Sequence, residues 1–197
     1  MEKQWRTTNL WSSKDISLAI FLGALAFVYS AFTIQVGFLV TGIPGIGYFF
    51  TSGIAIIFSI AFLMFKGRRW RFFVVTLIYQ FLISFILVNL GPFHIFRAIP
   101  MLTATFIQDI IFNSVYDFFE KRKKLIWYSI SSSIVGTLLD TFLRILTYPI
   151  LMPAEFTLAY LNVTYMMIPV ILFNAIFGGY IAFKIYERIG KPEKQQI

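Results

Sequence analysis

The chain reads as six long apolar runs separated by short polar or Gly/Pro-containing connections. The runs cover Asp15 to Val40, Gly45 to Phe65, Trp70 to Leu90, Ile99 to Phe118, Leu125 to Ile150 and Val163 to Tyr186. Each supplies about the 20 residues that a helix needs to cross a bilayer. The first begins after a basic stretch, as a secretory signal does, but it exceeds the roughly 7 to 15 residues of a signal core and is read as a retained span. The pattern predicts an all-α membrane protein, a bundle of six transmembrane helices. Residues 15–186 form its membrane domain, 1–14 an amphipathic cytoplasmic tail with Trp5 and Trp11 as interfacial anchors, and 187–197 a cytoplasmic C-terminal tail.

Composition agrees with that reading. Hydrophobic residues make up 58% of 197 and charged residues 13%, with a mean hydropathy of +0.78, outside the range of an ordinary soluble domain. The chain has no Cys, which excludes disulfides, thiolate metal sites and cysteine nucleophiles. A net charge of +8 would suggest nucleic acid in a soluble protein. Here the cations sort by connection. Lys3, Arg6 and Lys14 lie in the tail, four more in KGRRWR (66–71), four in KRKK (121–124), and Lys184, Arg188, Lys191 and Lys194 at the C-terminal end. The alternate connections at 41–44, 91–98 and 151–162 carry only Arg97. Basic residues stay on the cytoplasmic side of short loops, so both termini are expected inside. Topology and anionic lipid account for the basic loops, and no nucleic acid is implied.

The outer connections differ in kind. TGIPGIG (41–47), LGPFHIFRAIP (90–100) and YPILMPAEFTLAYLN (148–162) are rich in Gly, Pro and aromatics. Such segments either join spans or fold over a cavity as a lid. TGIPGIG is no phosphate loop, because it lacks the following Lys-Ser/Thr. Asn162-Val-Thr164 matches a glycosylation acceptor on an outer loop.

Two charges stand inside an apolar run, Asp140 and Arg144 in GTLLDTFLRILTYP. An ionisable residue in a membrane helix costs about 2.5 to 3.5 kcal/mol on insertion scales, so it faces a cavity or a partner. Their spacing of four puts them on one helical face, where they neutralise each other. Counting along the fourth and fifth spans places Asp109 and Asp140 each about 15 Å below the outer boundary, with Arg144 within reach of both. Gln108, Asn113, Asn174 and Asn89 add uncharged polar groups. One reading is an ion-pair network that locks two helices together. The other is an outward-facing polar site for a small amphiphilic ligand, with Asp109, Asn113, Asp140, Arg144 and Asn174 as contacts and Tyr148, Tyr160 and Phe49 as stacking or lid residues.

Enzymatic constellations are missing. The single His, at 94, cannot form HExxH, and there is no GxSxG. Asp109 with Asp140 would need to share a proton to act as an aspartyl pair, whereas an adjacent Arg keeps both ionised. The chain is therefore expected not to be an enzyme and to hold no metal or cofactor of its own.

On the first span, Ala19, Gly23, Ala26 and Ser30 fall at spacings of 4, 3 and 4 and form one stripe of small side chains. Such a stripe admits another helix closely, from the same bundle or from a second subunit.

A basic tail with Trp, this stripe, the Gly/Pro connection in TGIPGIGYFFTSGIAIIF and six spans in under 200 residues resemble the substrate-binding S component of an energy-coupling factor (ECF) transporter. The resemblance is one of pattern and covers nearly the whole chain. It implies a prokaryotic plasma-membrane protein that captures a vitamin or related micronutrient at its outer face, a pyrimidine or thiamine-like compound among the options. It further implies ATP-driven uptake with a transmembrane T subunit and two ATPases, the T subunit docking on Ala19, Gly23, Ala26 and Ser30. The family's Ala-x-x-x-Ala pattern is only approximated here. Its metal-binding branch is the least similar, since the N-terminal His ligand has no counterpart. The alternatives are a self-contained ion-coupled carrier and a non-transporting structural membrane partner.

Overall fold

The computed structural model describes residues 11–41, 51–86, 96 and 98–189, with side chains throughout except at 34–41, 86 and 156. The described residues form six helices: α1 (Ser13–Thr41), α2 (Thr51–Phe65), α3 (Arg71–Ile86), α4 (Ala98–Lys121), α5 (Leu125–Leu151) and α6 (Ala154–Ile189). Four of them, α1, α4, α5 and α6, are long and apolar enough to cross a membrane, while α2 and α3 are shorter apolar helices. Each helix packs against the next one in the chain. α2 touches α1, α3, α5 and α6 and serves as the strut of the bundle.

Local chemistry sets the helix ends. Ser12 and Asp15 form a reciprocal cap at the start of α1: the Asp15 N–H donates to Ser12 Oγ at 3.1 Å and the Ser12 N–H to Asp15 Oδ2 at 3.2 Å. At the end of α4, the N–H of Lys124 bonds the carbonyl of Phe119 (2.9 Å) and that of Lys123 the carbonyl of Glu120 (3.0 Å), with Lys123 in the left-handed region at φ 56°. That pair of bonds is a Schellman stop.

The last connection corrects the sequence reading. Only Met152 and Pro153 separate α5 from α6, so most of the expected 148–162 loop is helix. Pro153 lacks an N–H and ends the helical ladder there, while its carbonyl accepts the N–H of Thr157 (3.0 Å) and starts α6. Asn162 therefore lies inside a helix with Thr164 fully buried, which removes the expected exposed glycosylation loop.

The apolar core lies at the end where the chain turns at 66–70 and 121–124. Phe62 packs on Phe72 with ring centroids 4.0 Å apart and planes tilted by 33°, and Tyr128 is ringed edge-on by Phe62, Phe112 and Tyr116. The small-residue stripe of α1 packs inside the bundle. Ala19, Ala26 and Ser30 are buried, and Ser30 Oγ and Tyr79 OH share a hydrogen bond of 3.1 Å. A Cβ on Gly23 would stand 2.8 Å from the Ile78 side chain and 2.9 Å from the Val75 carbonyl oxygen. Helix α3 thus occupies the face that the resemblance assigns to a T subunit. The docking role expected for Ala19, Gly23, Ala26 and Ser30 is replaced by internal packing, because van der Waals contact is what small residues secure in lipid.

Candidate functional site

Asp140, Arg144 and Tyr148 stand at i, i+4 and i+8 of α5, so they form one ladder along a single face. Arg144 Nε donates to Oδ1 and Oδ2 of Asp140, both at 2.9 Å, and Nη1 donates to the Tyr148 hydroxyl at 2.7 Å. The remaining guanidinium donors have no partner among the described residues. The Tyr148 ring is buried and lies 4.7 Å from that of Tyr160 on α6, and Thr157 Oγ1 donates to the Tyr148 carbonyl at 3.1 Å. The α5–α6 turn therefore fixes the Tyr148 end of the ladder from both sides.

The ladder is not sealed. Arg144 and Asp140 side chains are 15% and 25% exposed, and from Ile134 to Thr147 no residue of α5 is buried, in contrast to Tyr128, Ser129, Ser132 and Ser133 one or two turns earlier. A guanidinium with spare donors and a carboxylate with spare lone pairs, beside the half-buried Tyr160 ring, can hold a flat polar molecule by hydrogen bonds and ring contact, whereas the fully buried Tyr148 serves as the partner of Arg144 and not as the expected stacking face.

The other expected contacts lie elsewhere. Asp109 accepts a hydrogen bond from Asn113 Nδ2, one turn on in α4, and faces the backbone N–H groups of Trp70 and Phe73 and the charge of Arg71. It is fully buried at the start of α3. Asn113 is next to the basic turn, its carbonyl 3.3 Å from where a Cβ of Gly67 would be. Arg144 thus pairs with Asp140 and Tyr148, not with Asp109, and the expectation that it serves both carboxylates is corrected. The reason is that α3 begins only at Arg71, which lets the 66–70 turn reach up along α4 to the Asp109 level. Asn174 donates to Thr51 Oγ1 at 3.0 Å and ties α6 to α2. Phe49 lies outside the described residues.

A second ionic group escaped the sequence reading. Arg71 is fully buried, with its guanidinium 4.8 Å over the Trp11 ring and Nη2 3.7 Å from Asp15 Oδ2, while Arg68 Nη1 reaches Asp15 Oδ1 at 2.7 Å. Assigning all four cations of KGRRWR to topology and anionic lipid leaves no place for a buried one. The signal available was an Arg directly before the apolar run FFVVTLIY and an acid opening the first span. The described residues contain no group of three or more His, Cys, Asp or Glu side chains placed to hold a metal ion.

No known family model matches this sequence, and no curated protein or solved structure matches it either.

Proposed function

We propose that this chain is the membrane-embedded substrate-binding subunit of an energy-coupling importer, an S component that captures a small water-soluble micronutrient at its outer face. The observation that carries the reading is the half-open Asp140–Arg144–Tyr148 ladder with Tyr160 beside it. It stands at the opposite end of α5 from the basic turns. In this proposal α2 and α3 complete their crossings through the adjoining segments, giving six spans with both ends cytoplasmic in a prokaryotic plasma membrane. The α5–α6 turn then faces outward. A T subunit and two ATPases would supply the energy, and this chain would hydrolyse nothing. Since α3 fills the small-residue stripe, the T subunit would dock on another face.

Native mass spectrometry of gently purified protein is expected to find a bound small molecule, and Arg144→Ala to remove it. The chain should also co-purify with a T subunit and ATPases. Uptake by the chain alone, driven by a pH gradient in liposomes, would replace this reading with the ion-coupled carrier. If Arg144→Ala lowers the melting temperature and no small molecule raises it, the chain is a structural partner instead.

A further inference from the structure

The turn between α4 and α5 presents Lys121, Arg122, Lys123 and Lys124, all exposed. None of the four pairs with a carboxylate among the described residues. Two acids are near. Glu120 is turned towards the Tyr116 hydroxyl (3.4 Å), and Asp117 is exposed one turn before Lys121. The four cations still outnumber them. The Arg122 guanidinium lies 3.9 Å over the Phe118 ring, and Phe118 and Trp127, on the two flanking helices, are 50% and 58% exposed. Exposed aromatic rings beside cations, at the ends of apolar helices, are the side-chain arrangement of a bilayer headgroup region.

The backbone adds a separate observation. Lys123 holds φ 56° at the Schellman stop, a position that favours glycine. Among the described residues, the non-glycine residues with positive φ are Lys66, Trp70 and Lys123, all in the two basic turns. Lys123 thus sets a cation at the tip of the turn in a backbone conformation that favours glycine.

We infer that the Lys121–Lys124 turn is a binding site for the phosphate headgroup of an anionic phospholipid, with Phe118 and Trp127 set against the acyl chains. A lipid fits better than an acidic protein because the cations continue directly into exposed apolar helix faces. The inference is independent of the proposed transport role.

Native mass spectrometry of the full chain in neutral detergent, with equal phosphatidylglycerol and phosphatidylcholine added, tests it. Phosphatidylglycerol adducts should dominate, and neutralising the turn by Lys121→Gln, Arg122→Gln, Lys123→Gln and Lys124→Gln together should abolish the preference. Each cation removed singly should weaken it by about fivefold. Lys123→Gly is the sharper variant: glycine suits the backbone there, so the melting temperature should stay unchanged or rise while the preference weakens, whereas replacing a lysine that served only the fold would leave lipid selection untouched. Equal binding of the two lipids, an undiminished preference in the variants, or capture of a polyglutamate peptide without phosphatidylglycerol preference would each overturn the assignment.

Discussion

Gly23 shows how little room a single position has in this bundle. A methyl group there meets the Val75 carbonyl oxygen at 2.9 Å, and a backbone atom cannot swing aside. Gly23→Ala is therefore expected to destabilise the protein by about 1 to 3 kcal/mol, read as a fall in melting temperature in detergent, and Gly23→Leu more so. An unchanged melting temperature would return the stripe to the role of an external docking face. Asp15 carries a different load, since it is the acid beside the buried Arg71 as well as the partner of Arg68 and the cap of α1. Asp15→Ala should cost about 3 to 5 kcal/mol, the range for removing one partner of a buried ion pair, and far more than loss of an ordinary surface pair. At this scale the sequence was legible where geometry is local. The Asp140–Arg144 pair follows from a spacing of four on any helix, whereas the Asp15–Arg71 contact joins residues 56 positions apart and has no local signature.

At the scale of elements, the α5–α6 hairpin is where pattern reading failed. Hydropathy falls at Pro153-Ala-Glu-Phe-Thr, so the pattern starts the last span at Val163, but polar and aromatic residues propagate a helix once it is started and capped. The consequence is checkable on an exposed residue. Asn162→Pro should cost roughly 3 kcal/mol of stability because it breaks the helical ladder and clashes with the preceding turn. A tolerated proline would restore the loop. The same helix explains why Tyr160 meets Tyr148: two residues of connection force α6 to fold straight back along α5, which brings their rings to 4.7 Å. A mobile twelve-residue connection would have left that pairing undefined.

For the whole molecule, the described cations other than Arg144 collect at one end. Lys14, the 66–71 turn, the 121–124 turn and the Lys184–Arg188 segment are joined through Asp15–Arg68, Gly67 against Tyr116, and the electrostatic contact of Tyr116 with Tyr186. The absence of native Cys makes single-cysteine reporters clean. In intact cells an impermeant thiol reagent should label Glu155→Cys and spare Lys121→Cys, with both labelled after permeabilisation. Labelling of both in intact cells would sink the proposed topology.

The sequence by itself determined that the protein is helical and bilayer-compatible, which end carries the positive charge, and that Asp140 and Arg144 pair within one helix, because hydropathy, charge sorting and helical pitch are properties of contiguous residues. Only the tertiary structure decided that the Ala19–Ser30 stripe is filled by α3, that Asp109 belongs to the basic end and that Arg71 is buried. Core and lipid are both apolar, so a membrane helix carries little in its own residues to say which side faces inward or how deep it sits. Its rotation and depth are fixed by contacts with helices far away in the chain.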